Sequence, residues 1–444
     1  MLYLFLKKIA RITVHVFFKK IRINGLENIS PGKPMLIAAN HTNAFMDAIA
    51  LQVFAKQNIY TLARSDVFNT PFKKWLLGKI MMHPIYRLQE GADNLHKNAE
   101  TFETCNKLLK KNQSIMIFPE GICIQQRRLC KLKKGLARIV FGAMESADFK
   151  MDMQIVPVGI NYSTPSKFGG NLLINIGKPI SIANYVAKYQ NDKAKTMNQF
   201  TNDVENEMEK LIVTISNKAH EEFIERTEKL YKADLISKDK SPRHILEKDF
   251  DITRKLTQQV EQKSKTEPEK LQQIIEKTDQ YFKAKKTLNL KDWHLKPEKL
   301  KNTSKWSALI KSMLLSVTFP VFLFGLIFNY LPFKIPFWLS KKIVKNIEFF
   351  TSINLGFGMF LFIFYYLIQT TLVFAVFNSL TMLFLFLLLA PASGLFALNY
   401  WRLYQEVKGM TQVIKHNSEV AHLSKQRKEI IKEMDNLFGE QKVE

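Results

Sequence analysis

The sequence predicts an α/β domain with a mixed sheet flanked by helices, followed by a charged helical region and C-terminal transmembrane helices. Short apolar runs alternate with helical patterns over residues 21–190, a pattern typical of α/β domains. Residues 191–305 are charged, poor in glycine and helical in period. Residues 349–401 contain no Asp, Glu, Lys or Arg, and this length holds two membrane spans of about 20 residues each.

The net charge and the apolar segments of the chain limit the kinds of partner that it is expected to bind. The formal net charge of the 444 residues is +25, which suits nucleic acid or an anionic membrane surface. Long apolar segments in the same chain favour the membrane, so anionic membrane lipids are predicted partners. Zinc-finger spacing and RNA-binding signatures are absent, and we expect no nucleic-acid partner.

The three cysteines form no even-numbered disulfide framework, which indicates reduced thiols in a cytosolic environment. Cys123 and Cys130 are too far apart in sequence for a close cysteine pair, and no histidine pair accompanies them. We therefore predict no metal site.

The N-terminal segment, residues 1–20, predicts an amphipathic helix. Lys7, Lys8 and Arg11 interrupt its apolar run, and no small-residue cleavage site follows, so it does not match a signal peptide. Apolar and basic residues alternate at helical spacing, which favours a helix lying in the lipid headgroup layer. The alternative is a helix packed on the surface of its own domain.

Residues 21–190 carry the predicted catalytic domain. Buried strands are predicted at 35–39, 59–63, 115–118, 154–162 and 172–176. Helical patterns lie between them at 48–54, 95–111 and 134–144. Residues 191–305 predict a helical insert or linker region with a charged surface, and we assign it no function.

Residues 306–401 predict a membrane domain. Two spans fit within 352–400, with a turn at Asn378-Ser379, and a third apolar segment covers 313–331. Basic residues flank every apolar segment. A re-entrant or interfacial hairpin at 313–331 keeps all of these basic groups on the cytosolic side, and we prefer it to a third span. Residues 402–444 predict a basic, cytosolic, helical tail.

His41 is the strongest candidate for a catalytic residue. It lies between a predicted strand and a predicted helix, with Asp47 six residues later. A carboxylate can hold one imidazole nitrogen as N–H and leave the other nitrogen free to take a proton from an alcohol. The alternative is that His41 is an ordinary buried histidine and that Asp47 only caps a helix.

The order of motifs around His41 resembles the glycerolipid acyltransferase family over residues 21–182. Five residues separate His41 from Asp47, where most of the family has four. The His-x-Asn-x-Phe-x-Asp pattern with this longer gap is similar to the fungal glycerol-3-phosphate and dihydroxyacetone-phosphate acyltransferases and some bacterial relatives. The residues that carry the resemblance are His41, Asn43, Phe45, Asp47, Arg87, Phe118-Pro119-Glu120-Gly121 and Val156-Pro157-Val158-Gly159.

The resemblance implies a role for each of these positions. His41 is the general base and Asp47 its partner. Arg87 binds the phosphate of the acceptor, because a guanidinium is permanently charged and matches phosphate oxygens. Glu120 orders polar groups around glycerol phosphate, and Gly121 lets backbone N–H groups approach an anion. Two further substrate-binding candidates are Asn43 and Arg64.

This chain departs from the family after Gly121. The family usually has Thr-Arg or Thr-x-Ser there, whereas this chain has Ile122-Cys123-Ile124-Gln125. Contacts to the acceptor at this point are therefore expected to differ.

We expect an integral membrane enzyme that transfers a fatty acyl group from acyl-CoA or acyl-ACP to glycerol-3-phosphate, with no cofactor beyond the thioester donor. An acceptor of 1-acylglycerol-3-phosphate is the main alternative. A non-phosphate lipid acceptor and an inactive membrane scaffold are the others. The catalytic domain is expected on the cytosolic face of the cytoplasmic membrane, or of the endoplasmic reticulum if the source is eukaryotic. The sequence does not predict an oligomeric state.

Overall fold

The computed structural model describes residues 2–86 and 98–439. The chain forms two compact units. The first contains Met1–Thr214 and, from much later in the chain, Ile343–Leu355. The second contains Ile215–Lys342 and Gly356–Glu444.

The first unit is built on a sheet of eight strands within the described residues. Seven follow the order β1-β7-β6-β2-β5-β3-β4, and β8 pairs with β6. The pairs of β6 with β7 and with β8 are antiparallel, and the other pairs are parallel. The predicted mixed sheet is therefore confirmed. The strands are β1 Lys20–Asn24, β2 Met35–Ala39, β3 Ile59–Arg64, β4 Met82–Ile85, β5 Ser114–Ile117, β6 Gln154–Tyr162, β7 Asn171–Ile176 and β8 Ile180–Ser181.

Helices cover both faces of this sheet. They are α1 Leu2–Phe17, α2 Phe45–Gln52, α3 Pro71–Lys79, α4 Asn98–Lys110, α5 Gly135–Glu145, α6 Ala183–Asn191 and α7 Lys193–Glu209. All five residues of β2 are buried. Leu36 and Ala38 pack with α4, α5, α6 and α7, whereas Met35, Ile37 and Ala39 pack with α1 and α2. This alternation is what a parallel strand covered on both faces requires.

The first unit extends beyond the predicted end of the catalytic domain at residue 190. Helix α7 buries Phe200, Val204 and Met208 in the same core as α5. Its charged residues had suggested a separate region, but the spacing of its apolar residues places one face of the helix on the sheet domain. Gly159 on β6 lies very close to the backbone of Leu211, which follows the end of α7. A Cβ on Gly159 would lie 2.2 Å from the Leu211 carbonyl oxygen.

Helix α1 packs on its own domain, and its location in the lipid headgroup layer stays a prediction. Val14 and Phe17 are buried in the core of the first unit. The other side of the helix exposes apolar side chains, namely Leu4, Phe5, Ile12 and Val16. One face therefore packs on its own domain, and the opposite face has the apolar character expected of a membrane-surface helix.

The second unit is entirely helical within the described residues. Its helices are α8 Glu221–Thr227, α9 Ala233–Lys238, α10 Ile245–Thr266, α11 Pro268–Thr287, α12 Pro297–Lys301, α13 Lys305–Ile343, α14 Phe350–Phe377, α15 Leu380–Lys415 and α16 Asn417–Phe438. A π-helical turn, Glu228–Lys232, joins α8 to α9. Helices α10, α11 and α16 share one apolar core, so the predicted helical insert and the predicted tail form a single bundle.

Within residues 2–86 and 98–439, three helices, α13, α14 and α15, are long and apolar enough to cross a membrane. The predicted turn at Asn378-Ser379 is present between α14 and α15, and the Ser379 side chain accepts a hydrogen bond from the Met382 N–H. Segment 313–331 lies within α13, which is a continuous helix of 39 residues with Pro320, Pro332 and Pro336 inside it.

The contacts of α13 show that this helix first approaches the turn at Asn378-Ser379 and then runs away from it. The ring of Phe322 stacks on Tyr400, near the end of the apolar part of α15. Asn329 lies closer to the turn, bonded to Tyr366 and to the Ala390 carbonyl. Pro336 then lies against Gly358, farther from the turn again. The prolines supply the bend. The path of α13 therefore differs from that of a straight helix, and the re-entrant arrangement of 313–331 stays a prediction.

Candidate active site

The candidate site lies at one edge of the sheet, where parallel strands β2 and β5 end. Strand β2 leads into Asn40 and His41, and β5 leads into Phe118-Pro119-Glu120. Because parallel strands place their carboxyl ends at the same edge, the His41 loop and the Glu120 turn lie side by side.

A short loop carries His41 from β2 to α2. The side chain of Asn40 fixes its start, since it donates to the Ile160 carbonyl oxygen (3.1 Å) and accepts from the Ile160 N–H (2.6 Å). Ala44 has a φ of 41°, an uncommon value for a residue other than glycine. This reversal starts α2 at Phe45, so that Asp47 in the first turn lies beside His41.

His41 and Asp47 form the predicted pair. The Nδ1 atom of His41 lies 3.0 Å from Oδ2 of Asp47. Because an ionised carboxylate can only accept hydrogen bonds, Nδ1 carries the proton and donates it. Nε2 makes no hydrogen bond to any residue in the described part of the chain. The His41 side chain is 19% exposed, so Nε2 is available to a hydroxyl substrate.

Four donors hold the fully buried carboxylate of Asp47. In addition to His41, the backbone N–H groups of Thr42 (2.9 Å) and Asn43 (2.7 Å) donate to Oδ2. The hydroxyl of Tyr162 donates to Oδ1 at 2.8 Å. Burial and the neighbouring Asp47 charge raise the pKa of Tyr162, so its hydroxyl stays protonated and remains a donor. These bonds stabilise the negative charge that orients His41.

Tyr162 was not predicted as a site residue. It is the last residue of β6, which pairs with β2 in parallel, so it ends at the same sheet edge as His41. The sequence signal that could have indicated Tyr162 is its position as a polar residue at the end of an apolar strand.

Glu120 is buried and accepts hydrogen bonds from the backbone of two different loops. Its Oε1 accepts the His41 backbone N–H and its Oε2 accepts the Cys130 backbone N–H, both at 2.8 Å. Burial raises the pKa of Glu120, although these two N–H groups favour the ionised form. In this structure Glu120 therefore positions the backbone of the catalytic histidine rather than facing solvent.

The neighbours of Glu120 shape the turn. Gly121 has a φ of 69°, which favours glycine, and its N–H donates to the Phe118 carbonyl oxygen at 3.1 Å. That N–H is used within the turn, and the expectation that Gly121 lets backbone N–H groups approach an anion stays a prediction. The Phe118 ring stacks on the His41 imidazole with the ring centres 4.0 Å apart. This contact fixes the plane of the imidazole.

Residues 343–355 also contribute to the site, although they lie about 300 residues later in the sequence. The Ser352 hydroxyl accepts the Met46 N–H at 3.0 Å and donates to the Asn43 carbonyl oxygen at 3.1 Å. Phe349 packs against Phe45. Ser352 thus fixes the first turn of α2, the turn that carries Asp47. Nothing in the local sequence around Ser352 indicated this role.

The predicted phosphate-binding residues have different outcomes. Arg87 lies outside the described residues. Arg64, at the end of β3, forms an ion pair with Asp66 and lies over the ring of Phe349, 5.9 Å from its centre. This places a guanidinium at the same edge of the sheet as His41, two strands away in the strand order.

Asn43 was predicted to bind substrate, but its side chain is completely buried. Its Nδ2 donates to the Pro165 carbonyl oxygen at 3.2 Å, and its Oδ1 has no hydrogen-bond partner. In this conformation Asn43 ties the catalytic loop to the segment after β6, and a direct contact with an acceptor would require it to move.

The thiol of Cys123 lies near the pair. Ligand atoms of His41, Asp47 and Cys123 all lie within 4.8 Å of one another, a spacing at which a metal ion would fit. Both Asp47 oxygens already accept hydrogen bonds, and the thiol accepts the Ala44 N–H at 3.2 Å. Burial and the Asp47 charge raise the pKa of Cys123, which disfavours the thiolate that metals prefer. These observations favour a hydrogen-bonded pair over a metal site.

Residues 20–161 match the family model Acyltransferase. The predicted resemblance is therefore confirmed for this part of the chain.

Two of the curated relatives that match part of this chain are named acyltransferases. The chloroplastic 1-acyl-sn-glycerol-3-phosphate acyltransferase of Arabidopsis thaliana is 30% identical over 127 residues, covering 28% of this chain and 33% of that protein. Glycerol-3-phosphate O-acyltransferase 1 of Saccharomyces cerevisiae is 39% identical over 84 residues, covering 19% of this chain and 11% of that protein. The chain thus spans a third or less of these relatives' lengths.

A crystal structure of the 1-acyl-sn-glycerophosphate acyltransferase of Thermotoga maritima is 16% identical, covering 46% of this chain and 78% of that chain. Its TM-score of 0.32 is too low to support an argument about this chain.

Proposed function

We propose that this chain, whose residues 20–161 match the Acyltransferase family, is a membrane enzyme that transfers a fatty acyl group to glycerol-3-phosphate. The observation that carries the proposal is the His41–Asp47 pair, with Nδ1 bonded to the carboxylate and Nε2 free for a substrate hydroxyl. The donor is a fatty acyl thioester, either acyl-CoA or acyl-ACP. The reaction needs no other cofactor.

The proposed mechanism is direct transfer with no covalent enzyme intermediate. Nε2 of His41 removes the proton from the acceptor hydroxyl as its oxygen attacks the thioester carbonyl carbon. The C–S bond then breaks, and the imidazolium returns the proton to the departing thiolate. The products are an ester and a free thiol. Asp47 stabilises the imidazolium while it exists, and Glu120 and Phe118 hold the ring in place.

A phosphate on the acceptor needs a cation at this edge of the sheet. We propose Arg87 for this role from its position in the sequence, with Arg64 as a second cation. Among the described residues, Arg64 pairs with one carboxylate, Asp66, in a partly exposed ion pair, so a phosphate could join or replace that partner at small cost.

The main alternative acceptor is 1-acylglycerol-3-phosphate, because one matched relative carries that activity in its name and the other is named for glycerol-3-phosphate. The longer gap between His41 and Asp47 is the sequence feature that favours glycerol-3-phosphate.

We further propose that the catalytic unit acts at the cytosolic face of the cytoplasmic membrane, or of the endoplasmic reticulum in a eukaryote. The three apolar helices and the basic groups around them support a membrane location. The exposed apolar face of α1 supports contact of the same unit with lipid.

The test uses the full chain in detergent or vesicles, with labelled acyl-CoA or acyl-ACP and three acceptors: glycerol-3-phosphate, its 1-acyl form and glycerol. Transfer to glycerol-3-phosphate is the expected result. Transfer only to the 1-acyl form would establish the alternative acceptor. Transfer to glycerol as readily as to glycerol-3-phosphate would contradict the phosphate site, and no transfer at all would contradict the proposed activity.

A further inference from the structure

A basic cavity of about 630 Å³ lies in the helical unit, far in sequence from His41. Its walls come from α8, the end of α11, the turn before α12, and α15 beyond its apolar segment. Six basic side chains line it, against one acidic side chain, Glu222. The basic residues are Arg226, Lys283, Lys285, Lys286, Lys291 and Lys408.

Most of this positive charge lacks a counter-charge. Arg226 pairs with Glu222 and Asp279. The other basic residues on the walls, apart from Lys285, form no ion pair with any residue in 2–86 or 98–439. Like charges collected around one concave surface repel one another, and the low-dielectric walls strengthen that repulsion. An anion in the cavity would relieve it.

Lys285 shows the imbalance most clearly, because its side chain is only 9% exposed. Its one carboxylate neighbour is Asp292, 3.7 Å away. Asp292 also faces Arg427 at 3.3 Å and accepts the Tyr281 hydroxyl at 2.6 Å, so its single charge is shared between two cations. Burial lowers the pKa of Lys285 to about 8. The Lys285 ammonium thus shares Asp292 with Arg427 and also lies 3.7 Å from the centre of the Phe282 ring, and a further anion in the cavity would stabilise it.

His294 forms part of the cavity wall and packs against α15. Its Nδ1 accepts the Lys291 backbone N–H at 3.0 Å, which fixes the ring beside a cavity lysine. Its Nε2 lies against Gly409, where a Cβ would be 1.9 Å from that nitrogen. Burial lowers the pKa of His294 to about 4, so the ring is neutral at pH 7 and the positive charge of the cavity comes from the lysines and Arg226.

The position of the cavity along α15 relates it to the membrane surface. The uncharged stretch of α15 ends at Trp401, and the cavity residues Gln405 and Lys408 follow within two helical turns. At 1.5 Å per residue, Lys408 is about 10 Å beyond Trp401 along the helix axis. That is the depth of the lipid headgroups if α15 spans the bilayer.

We propose that this cavity is a binding site for a phosphate-bearing anion, of the size of a phosphomonoester headgroup or a diphosphate. The lysines supply both the positive charge and the hydrogen-bond donors. The same chemistry is offered by an anionic phospholipid headgroup and by a soluble phosphate, and the experiment separates these sources. The inference does not depend on the proposed acyltransferase activity.

The test titrates the full chain in detergent by calorimetry with inorganic pyrophosphate, with dihexanoyl phosphatidic acid and with dihexanoyl phosphatidylcholine. The cavity variant is Lys286→Gln/Lys291→Gln/Lys408→Gln, three exposed residues whose loss is not expected to affect folding. The control is Lys255→Gln/Lys265→Gln/Lys301→Gln, which removes the same charge from exposed positions of the same unit that do not line the cavity. The proposed active site also binds phosphates. The quantity compared is therefore the anion binding that wild type and the control show and the cavity variant lacks.

We expect wild type and the control to bind one more equivalent of anion than the cavity variant, or to bind it at least about tenfold more tightly. Loss of phosphatidic acid binding alone would identify a phospholipid headgroup, and loss of pyrophosphate binding alone a soluble phosphate. If the control binds the anions as weakly as the cavity variant does, the effect comes from general surface charge and the proposal is overturned. Binding that is unchanged in the cavity variant, or equal binding of phosphatidylcholine, would also overturn it.

Discussion

The hydrogen bond from Tyr162 to Asp47 offers a direct test of how the site works. Tyr162→Phe removes only the hydroxyl that donates to Oδ1 at 2.8 Å and leaves the other three donors to the carboxylate in place. A hydrogen bond to a charged group contributes about 1.5–3 kcal/mol, so we expect the free energy of unfolding to fall by that amount.

The effect on catalysis is expected to be smaller than loss of the carboxylate itself. Disabling the orienting aspartate of a serine protease triad lowers kcat by about 10⁴-fold. With three of four bonds to Asp47 intact, we expect kcat to fall about tenfold, which corresponds to about 1.4 kcal/mol, with little change in KM.

The matched control for this variant is Tyr185→Phe. Tyr185 donates to Asp203 at the same distance, 2.8 Å, but lies on α6, away from His41. Acyl transfer and chemical denaturation are measured for both variants. Both should lose stability, and only Tyr162→Phe should lose kcat. Equal activity in the two variants would refute the reasoning that the Tyr162 bond supports His41 through Asp47.

Three further predictions follow from the structure. Ser352→Ala removes two bonds to the first turn of α2, so kcat should fall several-fold and stability by about 1–2 kcal/mol in a denaturant titration; unchanged kcat would contradict its positioning role. Gly159→Ala should destabilise by about 1–3 kcal/mol because its Cβ would overlap a backbone carbonyl, whereas Gly142→Ala, with open space inside α5, should be neutral or stabilising by up to about 1 kcal/mol; equal thermal shifts would contradict this packing. Single cysteines at Lys301→Cys and Lys342→Cys, in a background without the native cysteines, should react with an impermeant reagent from the same side of sealed vesicles; reaction from opposite sides would mean that α13 crosses the membrane.

Local sequence patterns were enough to predict most of the sheet domain. Strands β2 and β6 match the predicted 35–39 and 154–162, because continuous apolar runs between turn residues are typical of buried parallel strands. The placement of His41 next to Asp47 was also predictable, since a strand, a short loop and the first turn of a helix bring both residues to one point.

The remaining parts of the site depend on contacts between distant segments. Ser352 hydrogen-bonds to the Asn43 loop from 309 residues away, and no motif in its own sequence neighbourhood marks it. The buried position of Glu120, bonded to two backbone N–H groups, could not be separated from a substrate contact by sequence alone. The cavity lysines come from two separate helices and one turn, so no linear motif marks them. The Ser352 contact, the burial of Glu120 and the grouping of the cavity lysines all depend on tertiary packing.

The central claim is that His41 is the base for acyl transfer. Its most direct test is the rate of acyl transfer to glycerol-3-phosphate by His41→Ala, beside the matched control His422→Ala, which changes an exposed histidine on α16. We predict that His41→Ala loses at least about a hundredfold in kcat while its unfolding transition is retained, and that His422→Ala keeps wild-type activity. Substantial transfer by folded His41→Ala would contradict the claim.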